Sequence, residues 1–463
     1  MVFSSITFLF YFLPIVLALY YIVPKKFKNI ILLIASILFY FYGEPKYVLL
    51  MIISIISTYM FGWLIDKQKN TPKAKLFLFT AIAVQVGLLI YFKYMDFIIQ
   101  NINAFFSTKI DLVHVLLPIG ISFYTFQIIS YLVDVYRGEV KAQKNILKLA
   151  TYVALFPQLI AGPIVRYKSI ENQLEEREHT IQNFSLGIRK FVIGLGKKIL
   201  IANVLGELVA IFLVSDEKSV LFYWLYAIAN MLQIYFDFSG YSDMAIGLGK
   251  MFGFEFPKNF NYPYIANSIT EFWRRWHMSL SSWFRDYVYI PLGGNRVSKF
   301  KHLRNIMIVW ILTGLWHGAA WNFLIWGLYF GILLIIEKEF LLNYLKKLPK
   351  GITILYTNFI VMISFLIFSG DGVAQILENM KGLLGIGNIP LVSAESIYYF
   401  KSYFLVLLIG IVGATPIITN LVKRKNMQKV INVLEPIGLL SVFLVCTSYI
   451  VDGSFNPFLY FRF

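Results

Sequence analysis

Apolar runs close to the roughly twenty residues that carry a helix across a bilayer recur along this chain. They lie at about 5–23, 28–43, 47–65, 75–94 and 113–135 in the first third, and at 305–336, 352–369, 402–422 and 430–450 further on. A single soluble core does not need such segments. With 58% hydrophobic and only 14% charged residues in 463, the composition points to a polytopic membrane protein. The runs are continuous, whereas membrane β-barrels show short alternating segments, so the spans are helical. The expectation is an all-α integral membrane bundle of about ten to twelve transmembrane helices, with re-entrant and interfacial helices between them. No internal repeat is evident, and 1–463 reads as one integral unit: amino-terminal spans over 1–166, a basic amphipathic segment over 250–304 and a membrane segment over 305–336.

The formal net charge of +17 would suggest nucleic acid in a soluble domain. Here the Lys and Arg residues sit in short loops between spans, which is the pattern of cytoplasmic loops facing anionic lipid. Lipid, and not nucleic acid, is therefore the partner that charge implies. Lys25, Lys26 and Lys28, then four lysines over 66–75, then Arg137, Lys141, Lys144 and Lys148, alternate with basic-poor turns. By the positive-inside rule the amino terminus faces out of the cell, and the protein sits in the cytoplasmic membrane. The run 5–23 lacks a preceding basic segment and reads as a retained span. A lone Cys446 excludes disulfides and cysteine metal clusters within the chain, and no metal is expected.

Polar groups interrupt the runs at a few places. Leu117 to Gln127 opens the fifth span with Pro118 and Gly120, which invite a kink, and carries Ser122, Tyr124, Thr125 and Gln127. Phe156 to Arg166 holds two prolines and a glycine and reads as a broken segment buried in protein. Lys197 and Lys198 are expected to snorkel toward an interface. Asp237 and Asp243 reach a membrane edge, where they hold a proton or a cation, or serve as caps or ion pairs.

Between Lys250 and Arg304 nine basic residues face three acidic ones, which places this stretch on the cytoplasmic side. Ser268 and Glu271 form a capping-box pattern, and the helix they open is expected to run toward Pro291. Trp273, Trp276, Leu280, Trp283, Phe284 and Tyr287 repeat at helical spacing, giving a basic amphipathic helix in the membrane interface. His277 lies at the edge of that stripe, where a structural brace is the plain alternative to a functional role. His302 reads as solvated, and His114 and His179 have no constellation around them.

The run 305–336 would extend ~48 Å as a straight helix against a hydrocarbon thickness of ~30 Å, so it must tilt, break or turn back. It carries His317, whose imidazole at membrane depth must be neutral, hydrogen-bonded or in contact with water. Thr313, Gly314, Ala320 and Trp321 share its helical face. Gly314 and Gly318 form a small-xxx-small pair that admits another helix or a substrate, and Trp316 and Trp321 supply apolar walls.

Four motifs carry a resemblance: Phe272-Trp-Arg-Arg-Trp-His-Met-Ser-Leu-Ser281, Trp283-Phe-Arg-Asp-Tyr287, Tyr289-Ile-Pro-Leu-Gly-Gly-Asn-Arg296 and Thr313-Gly-Leu-Trp-His-Gly-Ala-Ala-Trp-Asn322. They resemble the membrane-bound O-acyltransferase (MBOAT) family, most closely its bacterial alginate and polysaccharide O-acetylation branch. Leu117–Gln127, Phe156–Pro163, Asp237–Asp243 and the closing Asn456–Phe463 extend the likeness over nearly the whole chain. The resemblance implies an acyl donor at the cytoplasmic face, a tunnel enclosed by the bundle and an acceptor on the outer side. The family's invariant histidine falls on His317 and its second motif position on His277. An extracytoplasmic esterase-like acetyltransferase partner and a polysaccharide acceptor are implied likewise.

On that reading neutral His317 deprotonates the attacking hydroxyl, since imidazole near its ordinary pKa of ~6.5 serves at cellular pH, and His277 positions a reacting group or shuttles a proton. Gly314, Trp316, Gly318, Trp321, Asn322 and Trp276 are the tunnel-lining candidates. Arg274, Arg275 and Arg285 are candidates to attract a phosphate-bearing donor, acetyl-coenzyme A, as a substrate and not as a tightly bound cofactor. Two other functions remain open: transfer of D-alanine from a carrier protein to teichoic acid, and transport of a lipid-linked sugar with His317 as a proton relay.

Overall fold

The protein, seen here as a computed structural model that describes residues 1–453, has helices as its regular secondary structure and no strand among those residues. The closing motif Asn456–Phe463 lies outside the described residues. Packing divides the chain into two compact units, Met1–Phe191 with Ser242–Pro257, and Val192–Tyr241 with Lys258–Phe463. The first holds α1 (Leu13–Ile22), α2 (Lys28–Gly43), α3 (Val48–Lys67), α4 (Pro72–Phe106), α5 (Ile121–Arg137), α6 (Ile146–Ala154), α7 (Phe156–Leu159) and α8 (Tyr167–Glu175). Two helices contribute to both units, α9 (Ile181–Gly196) and α11 (Val220–Met251). The second holds α10 (Val204–Val214), α12 (Ile269–Arg275), α13 (Met278–Phe284), α14 (Lys299–His317), α15 (Trp321–Ile336), α16 (Leu342–Leu345), α17 (Lys350–Phe368), α18 (Val373–Leu384), α19 (Ala394–Gly413), α20 (Ile417–Val422) and α21 (Lys425–Asp452).

Among the described residues six helices are both long and apolar enough to cross a membrane: Lys25–Gly43, Pro45–Lys67, Pro72–Phe106, Lys350–Phe368, Ala394–Gly413 and Val430–Asp452. The ten to twelve spans expected from the sequence include others that are short, broken or interrupted by charge. Large apolar side chains such as Leu49, Ile53, Met60 and Trp63 on α3 are exposed, as lipid-facing positions should be, because a hydrocarbon solvent does not penalise them.

In the first unit the Pro118–Gly120 bend does not kink a span. It precedes a buried helix: α5 begins at Ile121, and Gly120 sits before it at φ +77°, a left-handed conformation that glycine adopts without a Cβ penalty. Phe156–Arg166 is a broken, buried segment as its prolines suggested. The one-turn α7 is pinned where the Phe156 amide donates to Ser36 Oγ at 3.0 Å, which satisfies one of the backbone groups that irregular chain leaves open.

His179 does have a constellation. Tyr20 donates its hydroxyl hydrogen to the Phe252 carbonyl at 2.7 Å, accepts from Arg177 Nε at 3.1 Å and lies 2.8 Å from His179 Nε2. Its proton is committed to the carbonyl, so His179 is the donor in that pair. Asp243 is paired with Lys190 at 2.9 Å.

In the second unit Lys198 does not snorkel. It is buried and ion-paired with buried Asp237, so the two carboxylates of the 237–243 motif each take the ion-pair option. The long run 305–336 turns back: α14 ends at His317, residues 318–320 reverse the chain and α15 returns along α14. Glycines set that approach. A Cβ on Gly327 would press on the Trp310 carbonyl oxygen and reach Gly314 Cα at 3.2 Å, so the two backbones pack directly against each other.

Candidate active site

The stretch expected to form one interfacial helix from Ser268 toward Pro291 is broken in the middle. α12 stops at Arg275, α13 starts at Met278, and His277 between them adopts φ +41°, ψ +53°. A left-handed conformation costs a residue with a Cβ about 1–2 kcal/mol and persists only when its surroundings enforce it. Asn259 does so. Its carbonyl oxygen accepts from the Met278 amide at 2.9 Å, and its side-chain Oδ1 accepts from the Ser279 amide at 3.2 Å and the Ser279 hydroxyl at 2.9 Å, while lying 3.1 Å from His277 Nδ1. The aromatic stripe consequently faces protein. Trp276 is buried between Phe272 and Phe365, at ring-centroid distances of 5.5 and 5.3 Å.

The start of α12 is fixed from a distance. Ser268 accepts from the Glu271 amide at 3.0 Å, as the capping pattern required. The Glu271 carboxylate turns to the Asn267 amide at 2.9 Å, so the reciprocal half of the box is displaced by one residue. The two preceding amides go to Glu337, a fully buried carboxylate just beyond α15: Ile269 and Thr270 donate at 2.7 Å each, and the Thr270 hydroxyl at 2.6 Å. Charge-assisted bonds at a helix N-terminus are the strong kind, and these tie α12 to the end of the hairpin that carries His317.

His317 is the last residue of α14 and is 4% exposed. Its ring lies among Trp316 at 5.0 Å, Trp326 at 5.0 Å and Phe368 at 5.3 Å between centroids. Trp316 also approaches His277, at 6.0 Å, and His277 meets Phe238 at 4.7 Å with the two rings perpendicular. The two histidines named from the sequence, forty residues apart, thus lie against one indole. His277 is fully buried, and with a neutral amide as its hydrogen-bonding neighbour the desolvated imidazole is pushed down to about 3.

The remaining candidates are spread differently. The space beside Gly314 is taken by α15, and that beside Gly318 by the Phe323 ring. Trp321 is 54% exposed, and Asn322 donates to the Phe368 carbonyl at 2.8 Å. Arg274 and Arg275 line a cleft of about 660 Å³ with Asn261, Asn267, Thr270 and Lys346. Arg275 is paired with Glu271 at 2.7 Å, whereas Arg274 and Lys346 are exposed. Arg285 lies outside that lining and pairs with Asp286 at 2.6 Å. His302, expected in solvent, is buried and 2.8 Å from Lys338 Nζ, which donates to it.

Sequence reasoning missed Asn259, Glu337, Trp326 and Phe368. Asn259 acts on a residue 18 positions away and Glu337 on residues 67 and 68 positions away, beyond the reach of helical periodicity. The one available signal was that Glu337 is the acid on which the long apolar run closes, and Lys338 and Glu339 follow it directly.

The sequence model of the family described as "MBOAT, membrane-bound O-acyltransferase family" matches residues 37–377. The chain belongs to the membrane-bound O-acyltransferase family. It is similar to a probable alginate O-acetylase of Pseudomonas aeruginosa, 44% identical over 84% of this chain and 75% of that one. A peptidoglycan O-acetyltransferase of Helicobacter pylori is 34% identical over 84% of this chain and 81% of its own length. A teichoic acid D-alanyltransferase of Bacillus subtilis is 32% identical over 54% and 68%, respectively. The protein is therefore a multi-pass membrane enzyme and an O-acyltransferase, whose family match takes in both His277 and His317.

Proposed function

We propose that this O-acyltransferase takes an acetyl group from a cytoplasmic thioester, passes it through the protein and serves O-acetylation of a cell-surface or exported polysaccharide. The observation that carries the reading is that His277 and His317 both pack against Trp316, at 6.0 and 5.0 Å, buried among aromatic rings. Acyl transfer to a hydroxyl needs a group to take the hydroxyl proton, and a neutral imidazole away from solvent is suited to it. His317 takes that role, and His277 holds a reacting group. The acetylating relatives, at 44% and 34% identity over 84% of the chain, support acetyl as the group moved.

The donor in this reading is acetyl-coenzyme A, a substrate whose phosphates suit the exposed cations Arg274 and Lys346 of the cleft beside α12. The amino terminus lies outside the cytoplasm, as the basic loops favour, and an extracytoplasmic esterase-like acetyltransferase completes delivery to the sugar.

The test is labelled acetyl transfer into surface polysaccharide by intact cells carrying wild-type protein or His317→Ala. Label incorporated by wild type and lost in the variant, with equal protein in the membrane, is expected. Equal incorporation by both removes His317 from the chemistry, and D-alanine incorporated by wild type in place of acetate assigns the enzyme to the D-alanylating side of the family.

A further inference from the structure

The hydrogen bonds around Asn259 decide which nitrogen of His277 carries the proton. The Ser279 backbone amide can only donate, and it points at Asn259 Oδ1 from 3.2 Å, so that atom is the carbonyl oxygen of the side chain and an acceptor. His277 Nδ1, 3.1 Å from the same oxygen, must then be the protonated nitrogen. In the neutral ring this leaves Nε2 with a lone pair and no hydrogen.

That lone pair is buried and has no hydrogen-bond partner among the described residues. Two indole nitrogens of the same unit, Trp273 Nε1 and Trp326 Nε1, are likewise buried without acceptors, and Trp326 packs against His317 at 5.0 Å. The large majority of buried side-chain polar atoms are paired. The unmet atoms on His277 and on Trp326, which packs against His317, are places where a group arriving with the substrate can find a partner.

We infer that Asn259 is a positioning residue that locks His277 with its proton on Nδ1, so that Nε2 is a fixed acceptor for the hydroxyl or thiol hydrogen of a reacting group. This rests on the acyltransfer site proposed above and sharpens it by separating the two histidines. Full protonation of His277 would put an imidazolium in a buried site where its hydrogen-bonded neighbour is a neutral amide, and an uncompensated buried charge is costly. His277 therefore accepts a hydrogen bond and orients the reacting group, while proton removal falls to His317.

Two conservative replacements separate this role from a brace. In His277→Asn the side-chain nitrogen overlies Nδ1, keeping the bond to Asn259 but leaving nothing at Nε2. In His277→Gln the amide reaches the Nε2 position and offers an oxygen there. The expected order of acyl transfer by membranes of equal protein content is wild type, then Gln, then Asn, with Asn down on the order of 100-fold, the size of effect that misplacing a reacting group produces. A brace gives the reverse order, and Asn at or above Gln overturns the inference.

Should neither variant fold, Asn259→Asp gives an independent reading. Its carboxylate stabilises protonated His277, which consumes the Nε2 acceptor, so its rate relative to wild type should fall as the pH is lowered below neutrality. A constant ratio overturns the inference. Nitrogen NMR of histidine-labelled wild-type protein reads the tautomer without any assay of activity: the resonance assigned to His277 should report Nδ1–H, and Nε2–H overturns it. Wild-type membranes that transfer no acetyl group would sink the acetylation reading and leave the NMR result standing.

Discussion

Removing the Glu337 carboxylate tests how the site is held. It accepts three hydrogen bonds of 2.6–2.7 Å, two of them from the first backbone amides of α12. In Glu337→Ala the Ile269 and Thr270 amides lose their acceptor, and each buried donor left unsatisfied costs about 1–3 kcal/mol. The expected loss of stability is therefore about 3–5 kcal/mol, at the upper end for a single substitution. Glu337→Gln keeps one oxygen but turns an amide hydrogen toward a donor, and should cost about half as much. The readout is thermal unfolding of detergent-purified protein followed by the fluorescence of its nine tryptophans, with wild type, Gln and Ala losing stability in that order and Ala melting several degrees lower. Because α12 runs directly into Trp276 and His277, acyl transfer by the Gln variant should also be reduced at temperatures where it remains folded. If Ala melts within a degree of wild type, these bonds do not hold α12 in place.

Two further outcomes follow from the packing. Gly327→Ala presses a methyl group on the Trp310 backbone, whereas Gly331→Ala meets the Met307 thioether at 2.9 Å, and a flexible side chain yields where a backbone does not. Gly327→Ala should therefore cost about 2–3 kcal/mol and Gly331→Ala clearly less, as read by melting temperature; equal losses would contradict the direct approach of α14 and α15.

Burial, then Lys28 and Arg177, lower the His179 pKa from 6.5 to about 4. Between those values the unfolded chain holds a proton that the folded one does not, so stability should decline as pH falls from about 6.5 toward 4. The effect is on the order of 1 kcal/mol after allowance for solvent screening. His179→Gln should flatten this dependence in an unfolding series across that range, and an unchanged slope would assign it to other groups.

The sequence made the class of this protein legible because hydrophobicity is additive along a helix: a run of bilayer length is apolar wherever it is placed. It also singled out His317, since a titratable ring in an apolar run stands out without coordinates, whereas His277 was carried by the motif resemblance. It misjudged the helix over 268–291, because periodicity registered the aromatic stripe and carried no information about the backbone reversal that Asn259 enforces at His277. It likewise left open whether 305–336 tilts, breaks or turns back; the contact of Gly314 with Gly327 settles that, and two glycines thirteen residues apart have no local signature as a pair.

Local pattern thus determined a helical membrane protein with a histidine in an apolar run and a basic segment before it, and motif resemblance added the acyltransferase family and the second histidine. Tertiary structure alone decided that both rings lie against Trp316, that Asn259 directs one of them and that Glu337 anchors the helix leading to it. The physical reason is the range of the forces. Burial and helix propensity are set by residues a turn or two apart, whereas the hydrogen bonds that orient these side chains join positions 18 to 68 residues apart and exist only once the chain has closed on itself.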